Sequence, residues 1–240
     1  MRVKPRRLAL FLFLLVLRAG AADPQPSPTL RWADGAPHCT LRRGEDGHTY
    51  YAISSTDFEI ALSVDNQELE KVRHRSLPMI GVLISLDYKG TDPLALAPSK
   101  STLEFSKHFQ VVQRALNPDA MLQQLQQNMD ELTDEITHHQ LRAHPDRKDA
   151  KEAELQQRLK DYTEMMDFIS TRTLRDHVLD SSNASASGWV FFGTKNRWIG
   201  PWRRPEQFVL RIPVENAVVE FPFELPPKGG KVELRHRPGE

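Results

Sequence analysis

The 240-residue sequence predicts a mainly β chain: an antiparallel β-sandwich with an antiparallel αα-hairpin spliced into it. Three observations carry this expectation. Short apolar or alternating segments recur on both sides of residue 117 with no long helices between them, the pattern of a sandwich. Between the two β-rich halves the apolar period changes from two to three-and-four. A short Pro-containing break then divides that helical stretch into two similar seams.

Residues 1–21 read as a secretory signal. Arg2, Lys4, Arg6 and Arg7 precede an uninterrupted apolar run from Leu8 to Leu17, and Ala19-Gly20-Ala21 supplies small residues for cleavage. Ten apolar residues span about 15 Å as a helix, half a bilayer core, so a cleaved signal is expected rather than an anchor. The expected location is secreted or periplasmic, with no membrane span after cleavage. The whole chain balances 32 basic against 32 acidic residues, yet residues 22–240 hold 27 and 32. That net negative charge argues against a nucleic-acid partner, which needs a basic footprint.

Residues 22–38, with Asp23-Pro24-Gln25-Pro26-Ser27-Pro28, are expected to be a Pro-rich linker. Cys39 is the only cysteine, so no intramolecular disulfide or multi-cysteine metal site exists, and a buried thiol is expected. Residues 39–116 form the first β half. Phe58, Ile60, Leu62 and Val64 alternate with Glu59, Ala61 and Ser63, as in a half-buried strand. Met79–Tyr88 is nearly continuous in apolar character and reads as a central strand, closed by the turn Lys89-Gly90-Thr91-Asp92-Pro93. Leu94–Leu96, Thr102–Phe105 and Phe109–Val112 are shorter strands.

Residues 117–180 are the helical insertion. Asn117 is a good N-cap and Pro118 a good first helical residue. One seam runs through Leu122, Leu125, Met129, Leu132 and Ile136. After His144-Pro145-Asp146 the other runs through Leu155, Leu159, Tyr162, Met166 and Ile169. Arms of about 25 residues would be about 37 Å long. Residues 118–180 carry 14 acidic and 8 basic groups, a solvated composition. Residues 181–187 form a polar linker in which Asn183-Ala184-Ser185 matches the glycosylation sequon of eukaryotic secretory hosts. Residues 188–225 resume the β pattern at Trp189–Phe192, Phe208–Ile212 and Val218–Phe223, and residues 226–240 are a flexible Pro- and Gly-rich tail.

Phe58–Val64, Val82–Tyr88 with its Lys89–Leu94 turn, Pro98–Leu103, Gly188–Phe192 and Phe208–Leu210 follow one pattern in order. It resembles the immunoglobulin-like extracytoplasmic β-sandwich of unknown function found in bacterial secreted antigens and lipoproteins. The resemblance covers about 120 residues, excludes the hairpin, and brings no functional residues with it.

Two constellations stand out. Lys195–Pro205 packs Trp198 and Trp202 with Lys195, Arg197, Arg203 and Arg204, side chains that dominate protein interfaces. Arg197, Trp198, Trp202, Arg203 and Arg204 are therefore the candidate contact surface, against the plainer reading of aromatics packed on the sandwich. His138, His139, His144 and Asp146 crowd the hairpin tip, and imidazoles with a carboxylate can bind metal. Adjacent helical residues point about 100° apart, however, so solvated tip histidines are expected and no metal or cofactor. No Gly-x-Ser-x-Gly, P-loop or Gly-x-Gly-x-x-Gly occurs. The expected function is a non-catalytic, exported interaction or cell-envelope module whose partner is an envelope or extracellular protein. One alternative is a homodimer paired through the hairpin, motivated by Leu141, Phe168 and Leu174 needing cover. The other is a metal-dependent envelope hydrolase.

Overall fold

The computed structural model describes residues 28–45, 49–64, 79–107, 111–140, 147–194 and 204–225. Among these residues the fold is mainly β, with two sheets and two helices. Eight strands precede the helices: β1 (Thr29–Arg31), β2 (Cys39–Arg43), β3 (Thr49–Ser54), β4 (Phe58–Ser63), β5 (Met79–Tyr88), β6 (Leu94–Leu96), β7 (Thr102–Phe105) and β8 (Val111–Arg114). Helices α1 (Pro118–Asp134) and α2 (Lys148–Arg172) follow, then β9 (His177–Leu179), β10 (Ser185–Gly193), β11 (Glu206–Val214) and β12 (Ala217–Leu225). A π-helical turn over Glu135–Gln140 extends α1. No helix among the described residues is long and apolar enough to cross a membrane.

The smaller sheet is antiparallel throughout, in the order β10-β5-β4-β3-β2. In the larger sheet β12 lies between β1 and β11, and β11 pairs with both β6 and β7 on its other side. β9 flanks β6 and β8 flanks β7. The alternation read at Phe58–Val64 places Phe58, Ile60 and Leu62 in a core that also draws Leu103, Phe105, Phe208, Leu210 and Phe221 from the larger sheet. Phe208 is its aromatic hub, edge-on to Phe105 at 4.8 Å and stacked on Phe223 at 5.3 Å. Each fully buried side chain of this size contributes about 1.5–3 kcal/mol over its exposed state. On the larger sheet's outer face Arg31, Glu220, Arg211 and Glu104 form a ladder of alternating charge, with contacts of 2.5, 2.7 and 2.6 Å. Burial pushes the Glu220 carboxyl up, but hydrogen bonds and charge from Arg211 and Arg31 outweigh it and hold it below its ordinary range.

β1 is short and covers only Val218–Glu220 of β12. The amide of Val218 donates to the carbonyl of Pro28, and the amide of Trp32 to that of Glu220, so even-numbered residues of β12 face this edge. Pro222 is the next of them, and its missing N–H removes a donor where the edge lies open among the described residues.

Several boundaries differ from the sequence expectation. Thr29–Arg31 of the supposed linker 22–38 is strand, because Leu30 packs against the core and Arg31 reaches Glu220. β2 and β3 were not expected; Ile53 and Cys39 supply their core contacts. β9 lies inside 117–180, and β10 begins at Ser185 inside 181–187. The eighth strand runs to Arg114, two residues past the expected end of Phe109–Val112; Phe109 and Gln110 lie outside the described residues. The signal over 1–21, the turn at His144-Pro145-Asp146 and the tail over 226–240 lie outside the described residues.

Candidate functional site

The helices leave the sheets at one joint. β8 lies beside β7 and β9 beside β6, and β6 and β7 both pair with β11, so β8 and β9 occupy a single edge-strand position. In the gap between them the Ala115 amide donates to the Ser101 carbonyl at 2.9 Å. Asp176 accepts from the Ser99 amide at 2.9 Å and the Ser99 hydroxyl at 2.5 Å. At the interruption the chain crosses to the free side of β10. The Leu116 amide donates to Phe191 at 2.8 Å, and the Leu174 amide to Trp189 at 2.9 Å. The whole excursion therefore departs and returns two residues apart on one strand.

Local chemistry explains both ends. The Asn117 carboxamide oxygen accepts from the amides of Asp119 at 2.9 Å and Ala120 at 3.1 Å, satisfying two donors that α1 leaves unpaired. Pro118 follows at the first turn, where its missing N–H costs nothing. At the return, Gly188 is required: a Cβ there would lie 2.7 Å from the Leu174 nitrogen and 2.9 Å from the Arg172 oxygen. Arg175 reaches across to Asp119 at 2.9 Å, and this hydrogen bond and charge hold the Asp119 carboxyl below its ordinary range. Beside the joint is a cleft of about 310 Å³ bordered by Ser99, Leu116, Asp119, Arg175 and Asp176. Its charged groups are already matched with one another or with Ser99.

From this joint the helices lie on the outer face of the smaller sheet. Met121 and Leu125 of α1, with Tyr162, Met165, Phe168 and Ile169 of α2, form a cluster with Met79, Trp189 and Phe191 of the sheet. Phe168 sits 5.8 Å from Trp189 and 6.4 Å from Phe191. Farther along, Ile136 and Leu155 are buried as well, outside the cluster that contains the sheet residues. The solvent faces differ. On α2, Lys148–Glu152, Lys151–Glu154, Arg158–Glu154 and Lys160–Glu164 are paired along the helix. Residues 118–138 contain no Lys or Arg, so exposed Asp130, Glu131 and Asp134 make α1 acidic.

Of the expected seam, Leu125, Ile136, Leu155, Tyr162 and Ile169 are buried, while Leu122, Met129, Leu132, Leu159 and Met166 are partly so. The seam reading missed Met121 and Met165, which join the sheet-facing cluster. The signal was present in Trp189-Val190-Phe191-Phe192: an unbroken apolar run buries both faces of a strand, and the second face needs a cover. Phe168 and Leu174 are buried within their own chain, which corrects the expectation that a second copy must cover them; Leu141 lies outside the described residues. Of the candidate contact surface only Arg204 is described, and it is exposed; Arg197, Trp198, Trp202 and Arg203 lie outside the described residues.

His138 is exposed, with Asp134 at 3.6 Å, while His144 and Asp146 lie outside the described residues. Among the described residues no group of three His, Cys, Asp or Glu is placed to hold a metal ion. Cys39 is buried; its Sγ accepts from the Ala33 amide at 3.4 Å. No family model, curated protein or solved structure matches the chain.

Proposed function

We propose that this chain is an exported, non-catalytic interaction module: an immunoglobulin-like sandwich that carries an antiparallel helical hairpin on the outer face of its smaller sheet and offers the hairpin's solvent face to an envelope or extracellular protein partner. The observation that carries the reading is the splice. A pair of helices interrupts one edge strand, and both connections are pinned within two residues of each other on β10. The strand position is completed on either side of the interruption, so the sheets gain no pairing from the helices. The helices cover the outer face of the smaller sheet with one side and present a solvated, charged surface on the other, and that surface is suited to contact. The homodimer reading is the weaker one, since Phe168 and Leu174 need no second copy.

The test uses exposed positions only. Glu131→Lys with Asp134→Lys reverses the charge of the α1 face, and Thr40→Glu with Arg43→Glu makes the far edge of the smaller sheet acidic as a control. Retention of the purified chain on envelope fractions is expected to fall by about tenfold or more for the first pair only, a loss of about 1.4 kcal/mol. Equal retention of both variants, or none for the unaltered chain, would overturn the proposal.

A further inference from the structure

The sequence contains six methionines, and the five beyond Met1 occupy a single place in the fold. Met79, Met121 and Met165 are buried in the cluster between the helices and the smaller sheet, and Met129 and Met166 pack against it partly exposed. The larger core between the sheets, built from Ile, Leu, Val and Phe with Cys39 and Tyr88, contains none. Composition alone would scatter five methionines over both clusters. Methionine is flexible and fills irregular gaps, and it is also the apolar side chain that an oxidant converts to a polar one.

We propose that this methionine bed is a redox-sensitive mount: oxidation at Met129 and Met166 loosens the helices from the smaller sheet while the core between the sheets holds. The oxidant is a peroxide. Its O–O bond breaks as an S–O bond forms, the thioether sulfur loses two electrons to become a sulfoxide, and the peroxide is reduced to water or an alcohol. A methionine sulfoxide reductase reverses the change with thiol electrons. Met129 and Met166 react first because they alone of the five are partly open to solvent. A sulfoxide at either position sets a hydrogen-bond acceptor against the cluster of Met121, Phe168, Trp189 and Phe191, which is apolar on the helix and sheet sides alike. The consequence is local because Met165, Met79 and Met121 are shared only by the helices and that one sheet face. The inference stands apart from the proposed interaction role, since it needs no partner.

The test treats the Cys39→Ala chain with hydrogen peroxide, which removes the thiol as a competing target. Peptide mapping then follows the gain of oxygen at each methionine, and hydrogen exchange follows the amides. Met129 and Met166 are expected to oxidise ahead of Met79, Met121 and Met165. Exchange across residues 118–172 should then rise by about tenfold or more, with the amides of β4 and β11 unchanged. Methionine sulfoxide reductase should restore protection, and Met129→Leu with Met166→Leu should abolish the response. Exchange of the untreated double variant establishes that its helices are seated; if they are not, Met166→Leu alone is read. Failure of these two residues to oxidise first, oxidation without faster exchange, or an equal response in the leucine variant would each overturn the proposal.

Discussion

Gly188→Ala is the sharpest probe of the joint. The added methyl would stand 2.7 Å from the Leu174 nitrogen, 2.9 Å from the Arg172 oxygen and 3.0 Å from the Leu174 Cα. All three are backbone atoms, so no side chain can rotate away. Relief requires the returning segment to move off β10, which strains the Leu174–Trp189 hydrogen bond. Overpacking of this kind costs about 1–3 kcal/mol, and a lost hydrogen bond adds about 1 kcal/mol. Alanine's better strand entropy returns about 0.5–1 kcal/mol, leaving a net loss of about 1–3.5 kcal/mol. For a domain of this size that lowers Tm by about 2–14 °C. Gly193→Ala is the matched control on the same strand, since its Cβ would meet only the Leu116 Cδ2 at 3.9 Å, an ordinary contact. Calorimetry of the two variants decides the matter: if they melt within a degree of each other, the close crossing at Gly188 does not hold the helices down.

Two further changes read the same region. Asn117→Ala removes the acceptor for two amides at the start of α1 and should cost about 1 kcal/mol in urea unfolding, whereas Asn117→Asp should cost far less. The depressed Asp119 carboxyl gives its pair with Arg175 a defined pH dependence. Because the folded-state value lies below the unfolded one, the contribution is present above about pH 4 and is lost as pH falls through the folded value. The melting-temperature gap between the unaltered chain and Arg175→Ala should therefore close in acid at low salt; a gap independent of pH would refute that pairing.

The elements legible in the sequence are those whose burial is regular. β5 was readable because its apolar run is almost unbroken, and α1 because Asn117-Pro118 announces a helix that the structure caps as expected. β1 and β9 have three residues each, too few to show a period. β2 was hidden by Thr40, Arg42 and Arg43, which suit an edge strand but carry no apolar alternation. The joint was invisible for a different reason. Leu116, Leu174 and Gly188 act through backbone approach, which spacing along the chain does not encode. The heptad reading found the contact between helices but not the sheet beneath them, because Met121 and Met165 sit off the two-helix stripe.

Pro222 has a consequence for the life of the chain at high concentration. The stretch from Phe221 to Leu225 is apolar enough to recruit an extended segment from another molecule, and among the described residues only β1 pairs along this edge and stops short of it. A newcomer aligning there would find a missing rung at its first step, so stacking of copies into fibres meets a barrier written into the covalent backbone. Replacing the ring would trade that safeguard for a longer ribbon, and solubility would be the property to suffer.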